Sequence, residues 1–377
     1  MEIPILNLTA SPPSAQVPGH KVGVRRKTRQ VTVGGVRIGG SAPISVQTMT
    51  KTKTGDIAAT VAQIVQAADA GCDIVRVTIN DKEAAEAIRE IVQQSPMPVV
   101  ADIHFNHVFA LASIQAGVAK VRLNPGNIGS RDRIREVLSR AQDKGIPIRI
   151  GVNSGSLEED ILARHGYPTA EALYESAMRH VGICDECGFK DVVISVKSTD
   201  VRLMIEAYRL VAARTDIPLH LGVTEAGTTR VGTIKSAVGI GTLLAEGIGD
   251  TIRVSLTDEP VKEVEVGKEI LRSLGLATRN VELIACPTCG RLEVDLFGIM
   301  AELEKRLEGV KKPVKVAVLG CVVNGPGEAS EADIGIAAGK GVGILYRKGK
   351  VVRRVKESEI VDSIVDEVLN FQPEEPT

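Results

Sequence analysis

Between Ile44 and Leu256 the chain alternates short runs of β-forming residues with longer runs whose apolar positions recur at three and four. No other feature restricts the fold so much. Eight short runs can be counted: PISVQTMT, DIVRVTI, PVVADIHF, KVRLNP, PIRIGVN, DVVISVK, PLHLGVT and DTIRVSL. Strands that alternate with helices go into parallel sheets, and eight such units predict an α/β fold of the TIM (β/α)8 barrel type. The segments between them read as helices. DIAATVAQIVQAADAGC and RDRIREVLSRAQDKG are amphipathic and end at or near Gly. A doubly wound sheet with fewer strands is the alternative, because short apolar runs do not by themselves separate strand from helix.

Upstream, VTVGGVRIGG reads as a hairpin about Gly34-Gly35, placed to plug one end of the barrel. Residues 1–30 carry Pro, Ser, Gly and the basic run HKVGVRRKTR, expected as a solvated tail or edge. The barrel with its hairpin is assigned to 31–275. The connection between the fifth and sixth runs is long enough for an extra helical piece. After the barrel, 276–377 reads as a smaller α/β domain: an amphipathic helix in LEVDLFGIMAELEKRLEG, strands in VKVAVLG and ADIGIAA, a hairpin in GVGILYRKGKVVRRV, and a last helix over about 357–370.

A barrel of this type builds its chemistry at the C-terminal ends of its strands, and the charges there are unusual. Arg76, Arg122, Arg149, Lys197 and Arg253 interrupt or close the second, fourth, fifth, sixth and eighth runs. Asp102 and Glu225 are acids at comparable places, so five cations against two carboxylates leaves three in excess. Unpaired charge is costly inside a protein. An anion is therefore expected in the pocket, and Arg forks suit phosphate oxygens, with a diphosphate supplying about the missing charge. Any one of these side chains can instead snorkel outward or pair with a helix acid. Asn124, Asn153 and Ser255, just beyond Arg122, Arg149 and Arg253, are placed to add neutral hydrogen bonds. His104 and Asp102 stand two apart and share a face; His104 reads as a proton donor or as a satisfied core histidine. Glu225 closes the seventh run and would serve as general acid if burial raises its pKa, or would pair with an arginine.

The stretch from Cys286 to Glu328 gathers three of the six cysteines, as CPTCGR and then GCVVNGPGE. A C-x-x-C turn aims two sulfurs one way and the fold delivers the third, which is iron-sulfur or zinc geometry. The Asn324-Gly325-Pro326-Gly327 segment is expected as a turn that fixes the backbone there. No fourth cysteine is near, and Glu328 is the nearest carboxylate. A structural zinc site or reduced core cysteines are the plainer readings. Cys184, Cys187 and Cys72 read as buried or incidental thiols.

The rest of the composition excludes more than it assigns. A net charge of -1 and 2% aromatics with no Trp leave neither a basic field nor stacking platforms for nucleic acid. No apolar run approaches the roughly 20 residues that span a bilayer, and the N-terminus lacks a basic segment followed by an apolar one, so a cytoplasmic protein is expected. Six cysteines in 377 residues are too few for a disulfide framework. There is no GxxxxGK[ST] loop, and DIGIAAGKGVGILY reads as strand, turn and strand rather than a nucleotide loop.

Taken in order, VQTMT, ADIHF, VRLNPGNIG, GVNSGSLE, SVKSTD, GVTEAG, CPTCGR and GCVVNGPGE resemble the bacterial 4-hydroxy-3-methylbut-2-enyl diphosphate synthases over nearly the whole chain after its first thirty residues. The resemblance implies a TIM barrel followed by a smaller α/β domain similar to the sulfite reductase fold, which carries a [4Fe-4S] cluster on Cys286, Cys289, Cys321 and Glu328. It implies reduction of 2-C-methyl-D-erythritol 2,4-cyclodiphosphate, with electrons from reduced ferredoxin or flavodoxin. The diphosphate would lie on Arg76, Arg122, Arg149, Lys197 and Arg253, with Asn153 and Ser255 beside it. The resemblance further implies a head-to-tail homodimer with the site shared between subunits. Glu225 is the expected proton-handling carboxylate, supported by His104 and Asp102. The competing readings are a zinc-stabilised barrel enzyme acting on another phosphorylated substrate, and an electron carrier or iron-sulfur sensor, which would leave the five barrel cations unexplained.

Overall fold

The computed structural model describes residues 23–124, 127–277, 280–321, 323 and 325–372. The chain divides into two compact units, Met1–Ala277 and Thr278–Thr377. The first opens with a hairpin of β1 (Gln30–Val33) and β2 (Val36–Gly39). Eight strands follow: β3 (Ser45–Met49), β4 (Ile74–Thr78), β5 (Val99–Asp102), β6 (Lys120–Leu123), β7 (Ile148–Asn153), β8 (Val192–Lys197), β9 (His220–Leu221) and β10 (Thr251–Ile252). They pair in the order β8-β7-β6-β5-β4-β3-β10-β9, and a parallel bridge between Ile194 and Leu219 joins the two ends. This is the eight-stranded barrel that the alternation predicts, with a strand in each of the eight runs.

Period-two alternation sorts every strand into an outer and an inner face. In β7, Ile148, Ile150 and Val152 pack into the large apolar core shared with the helices. Arg149, Gly151 and Asn153 alternate with them and so turn inward. The same sorting holds in β4, where Val75 and Val77 join the core and Arg76 turns the other way. Helix starts are fixed by acids: Asp56, Asp81 and Asp200 each accept a hydrogen bond from a main-chain N–H in the first turn of the helix that follows.

The β1–β2 turn needs two residues with positive φ, and Gly34 and Gly35 supply them at 53° and 92°. Val33 and Ile38 then form one apolar cluster with Ile74 and Val100 of β4 and β5. The hairpin thus lies against the N-terminal end of the barrel, the plug expected for it. The basic run before it is not simply solvated. Gly23 N–H bonds the Ala245 carbonyl at 2.8 Å, Arg26 donates to the Ile217 carbonyl at 2.6 Å, and Arg25 pairs with Asp250 at 3.1 Å. Asp250 is 1% exposed, so a buried carboxylate draws the run in. Residues 1–22 of the expected tail lie outside the described residues. The connection between β7 and β8 holds the barrel helix Ala170–Glu186 and one extra short helix before it, Glu159–His165.

The second unit is one sheet in the order β11-β12-β13-β14-β15, made of β11 (Val281–Ala285), β12 (Val314–Leu319), β13 (Ile334–Gly339), β14 (Val342–Arg347) and β15 (Lys350–Lys356). The first three strands are parallel, and the β13–β14 and β14–β15 pairs are antiparallel. Helices Leu296–Leu307 and Ile360–Asn370 bury their apolar stripes on one face of it, through Ile299, Leu303, Ile364 and Val368. A short helix, Gly325–Ser330, lies on the other through Ala329. Its approach is close enough that a Cβ at Gly335 would stand 2.0 Å from the Ala329 carbonyl oxygen. Gly325-Pro326-Gly327, expected as a turn, instead starts this helix; Pro is tolerated there because the first helical N–H groups need no intrahelical partner.

Candidate active site

The C-terminal mouth of the barrel holds a polar cavity lined by Arg76, Asp102, His104, Arg122, Arg149, Asn153, Lys197, Thr224, Arg253 and Ser255. Seven of the eight residues expected around the anion are in this lining, Asn124 being the exception, as are two of the three expected to handle protons. Each arrives for a local reason. Arg76, Arg122 and Arg149 sit at inward positions of adjacent or near-adjacent strands, and Arg122 and Arg149 are registered opposite one another. Lys197 and Asn153 are the registered ends of β8 and β7. Space is made for two of the cations by glycine: a Cβ at Gly151 would lie 2.6 Å from Arg122 Nε, and one at Gly222 would lie 2.6 Å from Lys197 Nζ. Only the missing side chain lets those long side chains cross the barrel.

Two carboxylates meet these cations. Asp102 is 3% exposed and takes Arg122 at 3.2 Å and Arg76 at 3.5 Å. Burial alone would raise its pKa, but Arg76 and Arg122 outweigh it and hold the carboxyl at about 2. It is therefore ionised at neutral pH and anchors two arginines. The second carboxylate is Glu263, 1% exposed, on helix Pro260–Ser273, which pairs with Arg253 at 3.2 Å. The sequence reading missed it, and counted Glu225 in its place. The count stands: Arg76, Arg122, Arg149, Lys197 and Arg253 against Asp102 and Glu263 leaves three positive charges in excess.

That excess is felt by the groups themselves. Burial, then the neighbouring Arg149 and Arg253, push the Lys197 ammonium well below its ordinary value. Burial, then Arg76 and Arg122, disfavour the charge on Arg149. Arg76 is pulled down by burial to about 10 in spite of Asp102, and stays protonated at neutral pH. A cavity that disfavours its own cations is built to receive an anion.

The remaining expected residues fall elsewhere. Asn124 is buried and bonds the Gly151 N–H at 3.0 Å, tying β6 to β7 beside the cavity instead of lining it. His104 lies past the end of β5, exposed at the cavity mouth. Glu225 is outside the cavity lining and exposed, so the burial expected of it is absent. Its φ of 49° is left-handed, a conformation that non-glycine residues seldom hold, and the Thr199 hydroxyl donates to its carboxylate at 3.5 Å. Thr224, next to it, lines the cavity and was not anticipated.

In the second unit Cys286 follows β11 and Cys321 follows β12 after one glycine, at the same end of adjacent parallel strands. The Cys286 N–H bonds the Val318 carbonyl at 3.4 Å, and the Glu293 N–H bonds the Gly320 carbonyl at 3.2 Å, so the two cysteine loops run side by side. Cys289 is exposed in the first loop, and Glu328 is exposed on helix Gly325–Ser330. Among the described residues no group of three or more His, Cys, Asp or Glu side chains stands close enough to hold a metal ion. The backbone thus brings Cys286 and Cys321 to one end of the sheet, and the side chains of the four expected ligands are not gathered into a cage. Three thiols and one carboxylate remain a donor set that suits a cluster of iron and sulfide. The other cysteines behave as core residues: burial raises the Cys72 thiol to about 11 and the Cys184 thiol to about 12. No helix among the described residues is long and apolar enough to cross a membrane.

Two family models match the chain, the GcpE TIM-barrel domain over residues 28–268 and the GcpE protein C-terminal domain over 282–370. A 4-hydroxy-3-methylbut-2-en-1-yl diphosphate synthase (flavodoxin) from Clostridium perfringens is 56% identical over 341 residues, 90% of this chain and 98% of its own length. The protein of the same name from Aquifex aeolicus is 55% identical over 348 residues, 92% of this chain and 98% of its own.

Proposed function

The chain belongs to the 4-hydroxy-3-methylbut-2-en-1-yl diphosphate synthase family, and from that premise we propose which of its residues carry the family's reaction. It is an oxidoreductase that opens 2-C-methyl-D-erythritol 2,4-cyclodiphosphate and removes one hydroxyl, giving (E)-4-hydroxy-3-methylbut-2-enyl diphosphate in the methylerythritol phosphate route to isoprenoids. The change consumes two electrons and two protons and releases one water. Flavodoxin is the reductant that the relatives' name carries; ferredoxin is the alternative donor. The protein works in the cytoplasm as a homodimer with the site shared between subunits, a reading supported by the family resemblance.

The cyclic diphosphate binds in the barrel mouth. Arg76, Arg122, Arg149, Lys197 and Arg253 hold its phosphate oxygens, and Asn153 and Ser255 add neutral hydrogen bonds. The observation that carries this is the cavity's lining, in which five cations stand with one carboxylate, Asp102, while Glu263 holds Arg253 from outside the lining. Asp102 and Glu263 hold three of the arginines in place, so that substrate meets donors whose ordering was completed on folding. His104, exposed in the cavity lining, and Glu225, exposed beside Thr224 of that lining, carry no ion pair to arginine among the described residues. Glu225 is the proton-handling carboxylate, and its left-handed backbone is the kind of strain that functional positions retain. Cys286, Cys289, Cys321 and Glu328 hold a [4Fe-4S] cluster, which when bound supplies electrons and a Lewis-acidic iron.

Anaerobic reconstitution with iron and sulfide, followed by turnover of the cyclic diphosphate with an artificial reductant, tests the assignment. The parent makes product. A Lys197→Met variant should keep its iron and sulfide and bind substrate roughly tenfold or more weakly, as expected for loss of one charged hydrogen bond; unchanged binding would remove the barrel mouth as the diphosphate site.

A further inference from the structure

One layer below the cavity, the inner faces of the strands are polar where a barrel of this kind usually packs branched aliphatics. Lys120 lies two residues before Arg122 on β6, Gln47 two before Met49 on β3, and His220 two before Gly222 on β9, each about 7 Å deeper along its strand. Lys120, Gln47 and His220 are 0% exposed. The apolar cluster of Val33, Ile38, Ile74 and Val100 adjoins them, with Ile74 registered beside Gln47 and Val100 beside Lys120.

These side chains have few partners. Lys120 Nζ, both His220 ring nitrogens, both polar atoms of the Gln47 amide, Ser45 Oγ and Arg149 Nε and Nη2 are buried without a hydrogen-bond partner among the described residues. A packed core seldom keeps so many unmatched polar atoms, and buried water is the usual way they are satisfied. The charges around the two titratable groups are of one sign. Arg149 on β7 and Arg76 on β4 act on Lys120. Lys197 on β8, Arg149, Lys120 and Arg76 act on His220. The one titratable neighbour from the helices, Tyr208, donates its hydroxyl to the His220 main-chain carbonyl at 2.6 Å and leaves the ring alone. Burial first, and these cations second, favour the neutral forms of Lys120 and His220. A diphosphate entering above offsets that field.

We propose that Lys120 and His220 are a proton-accepting floor beneath the anion pocket, neutral before the diphosphate enters and protonated in response to it, so that substrate binding is coupled to proton uptake. The inference rests on the reading of the barrel mouth as the diphosphate site. Each proton comes from solvent or buffer onto Lys120 Nζ or a His220 ring nitrogen, and no bond to the substrate forms or breaks. Both are positioning residues. They tune the charge that Arg149 and Lys197 present without touching the ligand.

Calorimetric titration of the full chain with inorganic pyrophosphate, near pH 8 in two buffers of different ionisation enthalpy, counts the protons taken up. Pyrophosphate contributes its own share equally in every variant, so differences between variants report the floor. The parent should bind with net uptake. Lys120→Met and His220→Gln should still bind but take up fewer protons, by up to about one each, and their log Kd should change less steeply with pH by up to the same amount. Circular dichroism identifies any variant that fails to fold, and the other then carries the test. Parental proton uptake in the folded variants, with binding intact, overturns the floor and leaves the pocket standing. No pyrophosphate binding to the parent overturns both.

Discussion

Glu263 reaches out of helix Pro260–Ser273 to hold Arg253 at 3.2 Å, and at 1% exposure it is among the most buried carboxylates of the barrel. The Thr48 hydroxyl donates to the same carboxylate at 2.8 Å and the Leu256 N–H at 3.1 Å, so one acid fixes the guanidinium, the loop after β10 and the end of β3 together.

Glu263→Gln keeps the shape and removes the charge, leaving the partly buried Arg253 without its counter-ion. A loss of about 3 kcal/mol in urea unfolding is expected, with a larger rise in KM than fall in kcat because Arg253 no longer holds its position. A loss below about 1 kcal/mol would show that Arg253 finds another partner.

Sequence alone did not reach Glu263, and the reason is physical. It lies in VKEVEVGKE among other acids of an amphipathic helix, and nothing in spacing distinguishes the glutamate that turns under the barrel from those that face solvent. The eight strands were legible because their outer faces are mostly Val, Ile and Leu, while a cation at an inner position interrupts the run and marks the site, as Arg76 does between Val75 and Val77. Lys120 stood at the start of such a run and escaped notice, since a lysine at a strand end usually snorkels outward. Asp102 was legible as a site residue but not as an anchor. That role depends on its distances to Arg76 and Arg122, which belong to strands on either side of β5.

Asp102→Asn tests that role through pH. The folded carboxyl is held at about 2 against an ordinary value of 3.8. The unfolded chain therefore binds more protons as pH falls, so the stability from this carboxylate is full above about pH 4 and lost through about pH 2. The parent should exceed the variant by about 2 kcal/mol at neutral pH, and the difference should close over that window in acid titrations followed by circular dichroism. A constant difference down to pH 2 would mean that packing, not charge, is what Asp102 supplies.

Glu225→Gln preserves the size of the side chain and removes its ability to carry a proton. Binding of the cyclic diphosphate should be unchanged while kcat falls by a factor of about 100 or more, the usual worth of a positioned acid or base. Turnover at the parental rate would transfer the role to His104.

Cysteine and carboxylate ligands should separate in the second unit. Cys321→Ala removes one of three thiolates at the end of β12 and should prevent a stable cluster, read as iron and sulfide content after anaerobic reconstitution. Glu328 sits exposed on helix Gly325–Ser330, and a single hard oxygen contributes less to a thiolate site. Glu328→Ala should therefore assemble the cluster and lose it faster in air. Equal iron retention in both variants would exclude Cys321 as a ligand.

Lys120→Met should make the protein more stable, which is unusual for a change at a fully buried position. Methionine matches the length of the side chain and has no ammonium to desolvate, and removing an unpartnered buried donor is worth about 1 to 3 kcal/mol. Burial, then Arg149 and Arg76, lower the Lys120 ammonium in the folded state. Between the folded and unfolded values the unfolded chain binds more protons, so parental stability rises with pH there. The penalty is full below the folded value and fades as pH approaches the unfolded one, near about 10. The gain in Tm from Lys120→Met should thus be largest at neutral pH and shrink toward pH 10. A gain that is the same at both would assign the effect to packing and remove the charge argument at this residue.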